Sequence, residues 1–305
     1  MTSLRVRVPA TSANLGPGFD TLGLALSHLD ELVVRPGVGA TRVSVRGVGE
    51  NEVPTDGSNL VVRSAAHVFE RLGRALPALE IEAHNRIPHG RGMGSSGAAI
   101  VSGVMIAAGL LANDPDPVVL DESALLRFAT ELEGHPDNVA PALFGGLTIA
   151  WTGDDGHPRF KGLAVHRGVS PLVLVPDFTM STELARKLQP AQVPHEDAVF
   201  NVSRSALLVA ALTQSPELLL EATEDRLHQN YRGEAMPATR DLIRALREAG
   251  HAAVVSGAGP SILVLSGDPG SRIAAAELAA ARGDGWTPLF LAVDIKGATV
   301  DVIPA

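Results

Sequence analysis

The stretch Ile87–Ile100 reads IPHGRGMGSSGAAI. Gly90, Gly92 and Gly94 alternate ahead of Ser95 and Ser96, and Gly97 and Ala98 open a run of small apolar residues. A glycine-rich loop entering a helix exposes backbone N–H groups and the positive end of the helix dipole, and both attract phosphate. Glycine lets the backbone approach an anion with no Cβ in the way. A serine hydroxyl in the first turn either caps the helix or reaches a phosphate-bound metal. One Gly-Ser pair alone is most simply a turn with a Ser N-cap; three alternating glycines with two serines favour a phosphate cradle. The loop is not a Walker A loop, which ends in Gly-Lys-Ser/Thr. The three lysines, Lys161, Lys187 and Lys296, all lie elsewhere. The dinucleotide fingerprint G-x-G-x-x-G fits poorly, because the third glycine is misplaced.

Other residues carry charge at useful spacings. Thr182 and Arg186 stand four apart and so share a helix face. Arg232 sits in NYRGE. The planar arginine fork suits a carboxylate, although a solvated surface is the commoner fate of arginine. Glu131 and Glu133 are two apart, so only one of them can face a given cleft.

These residues need elements to position them. Strands are predicted at 4–8, 31–34, 42–48 and 79–83 by alternation and β-branched content. A helix is predicted over 59–72 with Ser58 as its N-cap, a second from Ser95 or Ser96 towards Leu111, and a third over 122–133, ended by Gly134 and Pro136. FGGLTIAW reads as a strand entered through glycines. The polar, turn-rich stretch Thr152–Gly162 is the candidate boundary between an N-terminal domain, 1–155, and a C-terminal one, 156–305. The second half reads as a strand at 171–175, helices near 182–187, 196–212 and 238–248, strands at 252–255 and 262–265, a helix at 271–281, and strands at 287–293 and 299–303. That mixture predicts an α+β fold.

The chain has 305 residues, 45% of them hydrophobic, and a formal net charge of -9. It is long enough for two domains. Its acidity argues against nucleic acid as a partner, since phosphate backbones want clustered Lys and Arg. An ATP site would draw its positive potential from a few arginines, backbone N–H groups and Mg²⁺. With no cysteine there is no disulfide, thiol nucleophile or thiolate ligand, which fits a cytoplasmic setting. No secretory signal is read at the N-terminus, and the most apolar run, 98–112, is short for a membrane span.

The motif PHGRGMGSSGAA resembles the phosphate-binding motif of the GHMP kinases. PATSANLGPGFDTLGLAL, at 9–26, resembles the N-terminal substrate motif of the homoserine kinase branch, as does EGHPDNVAPALFGG at 133–146. SGAGPSILVL, at 256–265, resembles the family's C-terminal motif. The resemblance runs in family order over essentially the whole chain. It implies a ribosomal-S5-like N-terminal domain, a ferredoxin-like C-terminal domain and a cleft between them. It implies transfer of the ATP γ-phosphoryl group to the hydroxyl of L-homoserine in threonine biosynthesis, and it suggests a homodimer.

Carried over residue by residue, ATP is held by the loop from Pro88, His89, Gly90, Arg91, Gly92, Met93 and Gly94 through Ser95, Ser96, Gly97 and Ala98, with Gly257 and Gly259 packed beneath it. Asn14, Asp20, His135 and Asn138 line the acceptor pocket. Thr182, Arg186 and Arg232 complete it, the arginines as a carboxylate clamp. Asn14, Asp20, Glu131 and Arg186 carry the reaction. Ser96 and Glu131 meet Mg²⁺, with Ser95 and Glu133 as alternatives. No base is assigned. Gly97 departs from the alanine usual in the family. Three rivals stay in view: a GHMP kinase for another small alcohol, a nucleotide-binding protein without turnover, and a dinucleotide-dependent oxidoreductase.

Overall fold

The computed structural model of the chain describes residues 2–180, 185, 187–283 and 285–304. Its first half runs β1 (Ser3–Ala13), β2 (Leu22–Pro36), β3 (Arg42–Gly47), α1 (Leu60–Arg71), β4 (Leu79–Asn85), α2 (Ser95–Ala112), α3 (Glu122–Glu133), α4 (Pro136–Phe144), β5 (Leu147–Thr152) and β6 (Pro158–Leu163). The second half runs β7 (Ser170–Pro176), α5 (His195–Thr213), α6 (Leu219–Ala222), α7 (Gln229–Gly233), α8 (Pro237–Glu248), β8 (Ala252–Val255), β9 (Ile262–Ser266), α9 (Pro269–Ala281), β10 (Trp286–Phe290) and β11 (Thr299–Ile303).

Two sheets frame the molecule. The larger has the order β11-β1-β2-β4-β3, and the β5–β6 hairpin joins it through β2. The pairing β3–β4 is parallel, while β1–β2, β2–β4, β2–β5 and β5–β6 are antiparallel. The smaller sheet, β10-β7-β9-β8, is antiparallel throughout. The mixed architecture is α+β, as read from the pattern of elements.

Helix α2 is apolar on every side because it is enclosed: α1, α3, α4 and β1 all pack on it. By length and composition it could cross a membrane, yet most of it is buried in the fold. Leu4, Val6 and Val8 on β1 are fully buried in the same core as Ile106 and Leu111 of α2. A second core sits on the smaller sheet, where Leu172, Ile262 and Val264 meet Leu242 and Leu246 of α8.

Several boundaries moved. The N-cap of α1 is Asn59, whose Oδ1 accepts from the Val61 N–H at 2.9 Å; Ser58 is instead held by the Asp56 carboxylate in an Asx turn. Pro136 does more than end α3. It starts α4, where a fixed φ and a missing N–H suit the first helical position. Thr152–Gly162 forms the turn and most of the return strand of the β5–β6 hairpin, and β11 returns the chain to the first sheet beside β1. The strand expected over 287–293 ends at Phe290.

Candidate functional site

The start of α2 is the centre of the site. Its N-cap is Gly94, at φ 70°, and no side chain caps the helix. The first-turn N–H groups are therefore offered to a ligand, where the dipole favours an anion. The loop before it is held from below by the turn between β8 and β9. Ser256 Oγ donates to the Gly92 carbonyl at 2.6 Å, and the Ser261 N–H donates to the Arg91 carbonyl at 3.3 Å. Gly92 combines φ 72° with a site where a Cβ would fall 2.2 Å from the Ser256 oxygen, so only glycine fits.

A polar cavity of about 230 Å³ opens on one side of this loop. Asn14, Asp20, Gly90, Gly92, Gly94, Ser95, Ser96, His135, Asn138, Arg232, Gly257 and Gly259 all line it, and so does Glu133. Twelve of the sequence-predicted positions thus meet in one place from both ends of the chain, with His135, Asn138 and the third motif's glycines among them.

Their local supports are specific. Asn14 has φ 70°, its Nδ2 donates to the Gly257 carbonyl at 2.8 Å, and its Oδ1 accepts from the Asp20 N–H at 2.9 Å. It therefore joins the first and third motifs as well as lining the cavity. Arg232 is 3% exposed, donates to the same Gly257 carbonyl at 3.1 Å and lies over the Phe19 ring. His135 and the buried Asp137 carboxylate are linked through Nδ1 at 2.5 Å, and Asp137 stands in the first turn of α4. Thr11 Oγ1 donates to Asn138 Oδ1 at 3.0 Å.

Other expectations are corrected. Glu131 does not reach the cavity: its two carboxylate oxygens are taken by His67 at 2.8 Å and Arg71 at 3.1 Å. Glu133 is the acid of the pair that lines the cavity, and Ser96 Oγ donates to its Oε2 at 3.1 Å. Arg91 turns from the loop to donate to the carbonyls of Pro176 and Asp177, because the end of β7 lies within its reach. The side chains of Met93 and Ala98 are buried in the core and anchor the loop without lining the cavity. Pro88 precedes the lining residues. Thr182 and Arg186 lie outside the described residues.

A second cavity, of about 250 Å³, lies on the other side of Ser95 and Ser96. Its wall is mostly apolar, with Val43, Val45, Val53, Pro54 and Ala99, and Asn59, His89 and Asp30 bring polar groups. Nothing in the sequence grouped these residues, since they come from β2, β3, the loop before α1 and α2. Asp30 is 6% exposed, and its Oδ1 accepts from the N–H groups of Arg86 and Ile87 at 2.6 and 2.9 Å. Burial pushes its carboxyl above the usual range against those two hydrogen bonds. It fixes the chain where β4 hands over to the glycine loop.

Behind the polar cavity, His228 is fully buried. Its Nε2 meets the Gly16 carbonyl at 2.8 Å and its ring stacks on Phe19 at 4.8 Å. Burial pushes its pKa down to about 4; Asp225 pulls upward and Arg232 adds to the fall. Burial also disfavours the Asp225 carboxylate, yet the His228 charge, the Gln229 and Leu227 N–H groups and the Asn201 amide together hold it below the usual range.

An uncapped helix start between a polar and an apolar cavity has the layout of a phosphate-binding site with a separate pocket on either side. Residues 59–146 match the GHMP kinases N terminal domain, and residues 207–284 match the GHMP kinases C terminal family model. The chain belongs to the GHMP kinase family, whose members use ATP. It is 68% identical to the homoserine kinase of Clavibacter michiganensis subsp. michiganensis, over 98% of this chain and 94% of that one. It is 70% identical to the homoserine kinase of Leifsonia xyli subsp. xyli, over 98% and 92%. Among solved structures it is similar to the homoserine kinase from Cytophaga hutchinsonii, with a TM-score of 0.86 and 29% identity over 99% of this chain and 98% of that one.

Proposed function

We propose that this chain phosphorylates the hydroxyl of L-homoserine with ATP to give O-phospho-L-homoserine, a step of threonine biosynthesis. The observation that carries the reading is the placement of Arg232, Asp20 and Asn138 in a small polar cavity directly beside the uncapped start of α2. Near-full-length identity to homoserine kinases supports the choice of acceptor.

In this reading the nucleoside occupies the apolar cavity and its phosphates lie on the N–H groups of the loop and of α2. The acceptor fills the polar cavity. Arg232 takes its carboxylate, Asp20 takes its ammonium, and Asn138 stands by the hydroxyl. Phosphoryl transfer depends on positioning and charge neutralisation more than on a strong base. We assign no base.

Ser96 and Glu133 present hard oxygens 3.1 Å apart at the phosphate end. That donor set fits Mg²⁺, which takes one or two protein groups and fills its shell with phosphate and water. When bound, the ion neutralises charge on the phosphates.

The test is ADP release in a coupled assay with Mg-ATP and L-homoserine, mevalonate, L-serine or no acceptor. Turnover with homoserine alone is the expected result. Tight Mg-ATP binding without homoserine turnover would overturn the assignment and leave a GHMP kinase with a different acceptor.

A further inference from the structure

Thr11 lies inside the 9–26 motif but carries none of the roles read from it, yet it touches three parts of the site at once. It lies on β1, is 1% exposed, and its backbone N–H donates to the Met93 carbonyl at 3.1 Å, so it is sewn to the glycine loop. Its hydroxyl occupies the space beside Gly94, where an added Cβ would fall 2.0 Å from Oγ1. That hydroxyl donates to Asn138 Oδ1 at 3.0 Å.

The consequence concerns which end of the Asn138 amide faces the cavity. An amide has one oxygen that accepts and one nitrogen that donates twice. With Oδ1 committed to Thr11, the nitrogen is the end left for a ligand. Among the described residues no protein acceptor takes a hydrogen from Asn138 Nδ2. Asn138 lines the cavity together with Ser95 and Ser96. β-Branching restricts the Thr11 χ1 angle, so the hydroxyl is held in place and does not swing away.

We propose that Thr11 is a positioning residue: its hydroxyl holds Asn138 with the amide N–H groups turned to the cavity. Asn138 then offers donors to oxygen that gains negative charge, on the acceptor hydroxyl or on the moving phosphoryl group, and takes no proton. The proposal rests on the phosphoryl-transfer reading above.

The experiment compares Thr11→Ser with Thr11→Ala, which differ only in the hydroxyl, and adds Thr11→Val as a second hydroxyl-free variant that keeps the branched shape. Steady-state assays with Mg-ATP and L-homoserine are read beside the thermal midpoint of each protein. The proposal expects Thr11→Ser within about fivefold of the wild-type kcat, and Thr11→Ala and Thr11→Val lower by about 100-fold, the scale of a misplaced group at a reaction centre. The two KM values stay within about threefold, since the ground-state contacts of Arg232 and the loop remain. Equal kcat for Ser and Ala overturns the proposal, and so does a loss in all three variants that follows the thermal midpoint. A wild-type protein that binds Mg-ATP but ignores homoserine removes the parent reading first, and this proposal with it.

Discussion

Ser96 Oγ on α2 and Glu133 Oε2 at the end of α3 stand 3.1 Å apart. Two residues earlier, Glu131 is bound by His67 and Arg71 on α1. The two acids therefore have different work. Glu133→Gln is expected to lower kcat by about 100-fold or more, as loss of charge stabilisation at a phosphoryl-transfer centre does. Glu131→Gln is expected to stay within a fewfold, since it breaks an ion pair on the surface of the fold. Side-by-side coupled assays decide between them, and a larger loss for Glu131 would reverse the assignment.

Arg232→Lys is expected to raise the KM for homoserine by about 100-fold while the KM for ATP stays near wild type. Lysine keeps the charge but loses the fork that reaches both the Gly257 carbonyl and a carboxylate. An equal rise in both KM values would mean that the change deforms the glycine turn below the loop and does not weaken acceptor binding.

Gly97 has room for a methyl group. A Cβ there would meet Asn138 Cβ at 3.4 Å and Val139 Cγ1 at 3.6 Å, which is ordinary contact. Glycine inside a helix costs about 0.5–1 kcal/mol relative to alanine. Gly97→Ala is therefore expected to raise the thermal midpoint by about 1–3 °C with kcat unchanged. A lower midpoint in a thermal melt would show that the methyl group disturbs the packing of α4 on α2 despite the ordinary contact distances.

Acid should unfold the protein partly through His228. Its pKa is 6.5 in the unfolded chain and about 4 in the fold. Between those values the unfolded chain binds more protons, so stability is full above pH 6.5 and falls as the pH drops towards 4. The loss from this one side chain is roughly 3 kcal/mol. Urea midpoints at pH 7, 5.5 and 4.5 should show a flatter slope for His228→Gln than for wild type. Parallel slopes would assign the acid sensitivity to other groups.

How much of this was legible in the sequence varied with the length scale. The glycine loop, α2 and the β8–β9 turn were readable because glycine spacing and apolar runs are local signals. The convergence of Asn14, Asp20 and Arg232 was readable only through resemblance, since no local pattern joins residues so far apart. The choice between Glu131 and Glu133 was not readable: spacing separates their faces but does not say which face turns to α2. The apolar cavity was hidden because its wall is assembled from β2, β3, β4, α1, α2 and the loops before both helices. Asp30 left no usable mark, since it stands beside Glu31 in the polar stretch SHLDE of β2 and only the fold shows which of the two acids is buried. His228 left none, since its neutrality arises from enclosure by Phe19, Asp225 and Gly16.

The chain crosses between the two sheets twice, once from β6 to β7 and again from β10 to β11. The second crossing is stitched to β2, where the Ser27 N–H donates to the Ala292 carbonyl at 2.9 Å and the Asp294 N–H to the Ala25 carbonyl at 3.0 Å. The smaller sheet is thus a closed excursion of the chain, anchored to the larger sheet at both of its ends, and Val173, Val175, Val254 and Leu263 fasten it again through the shared core. The floor of the cleft is therefore woven from both sheets, and a change in either is felt by the same ligand.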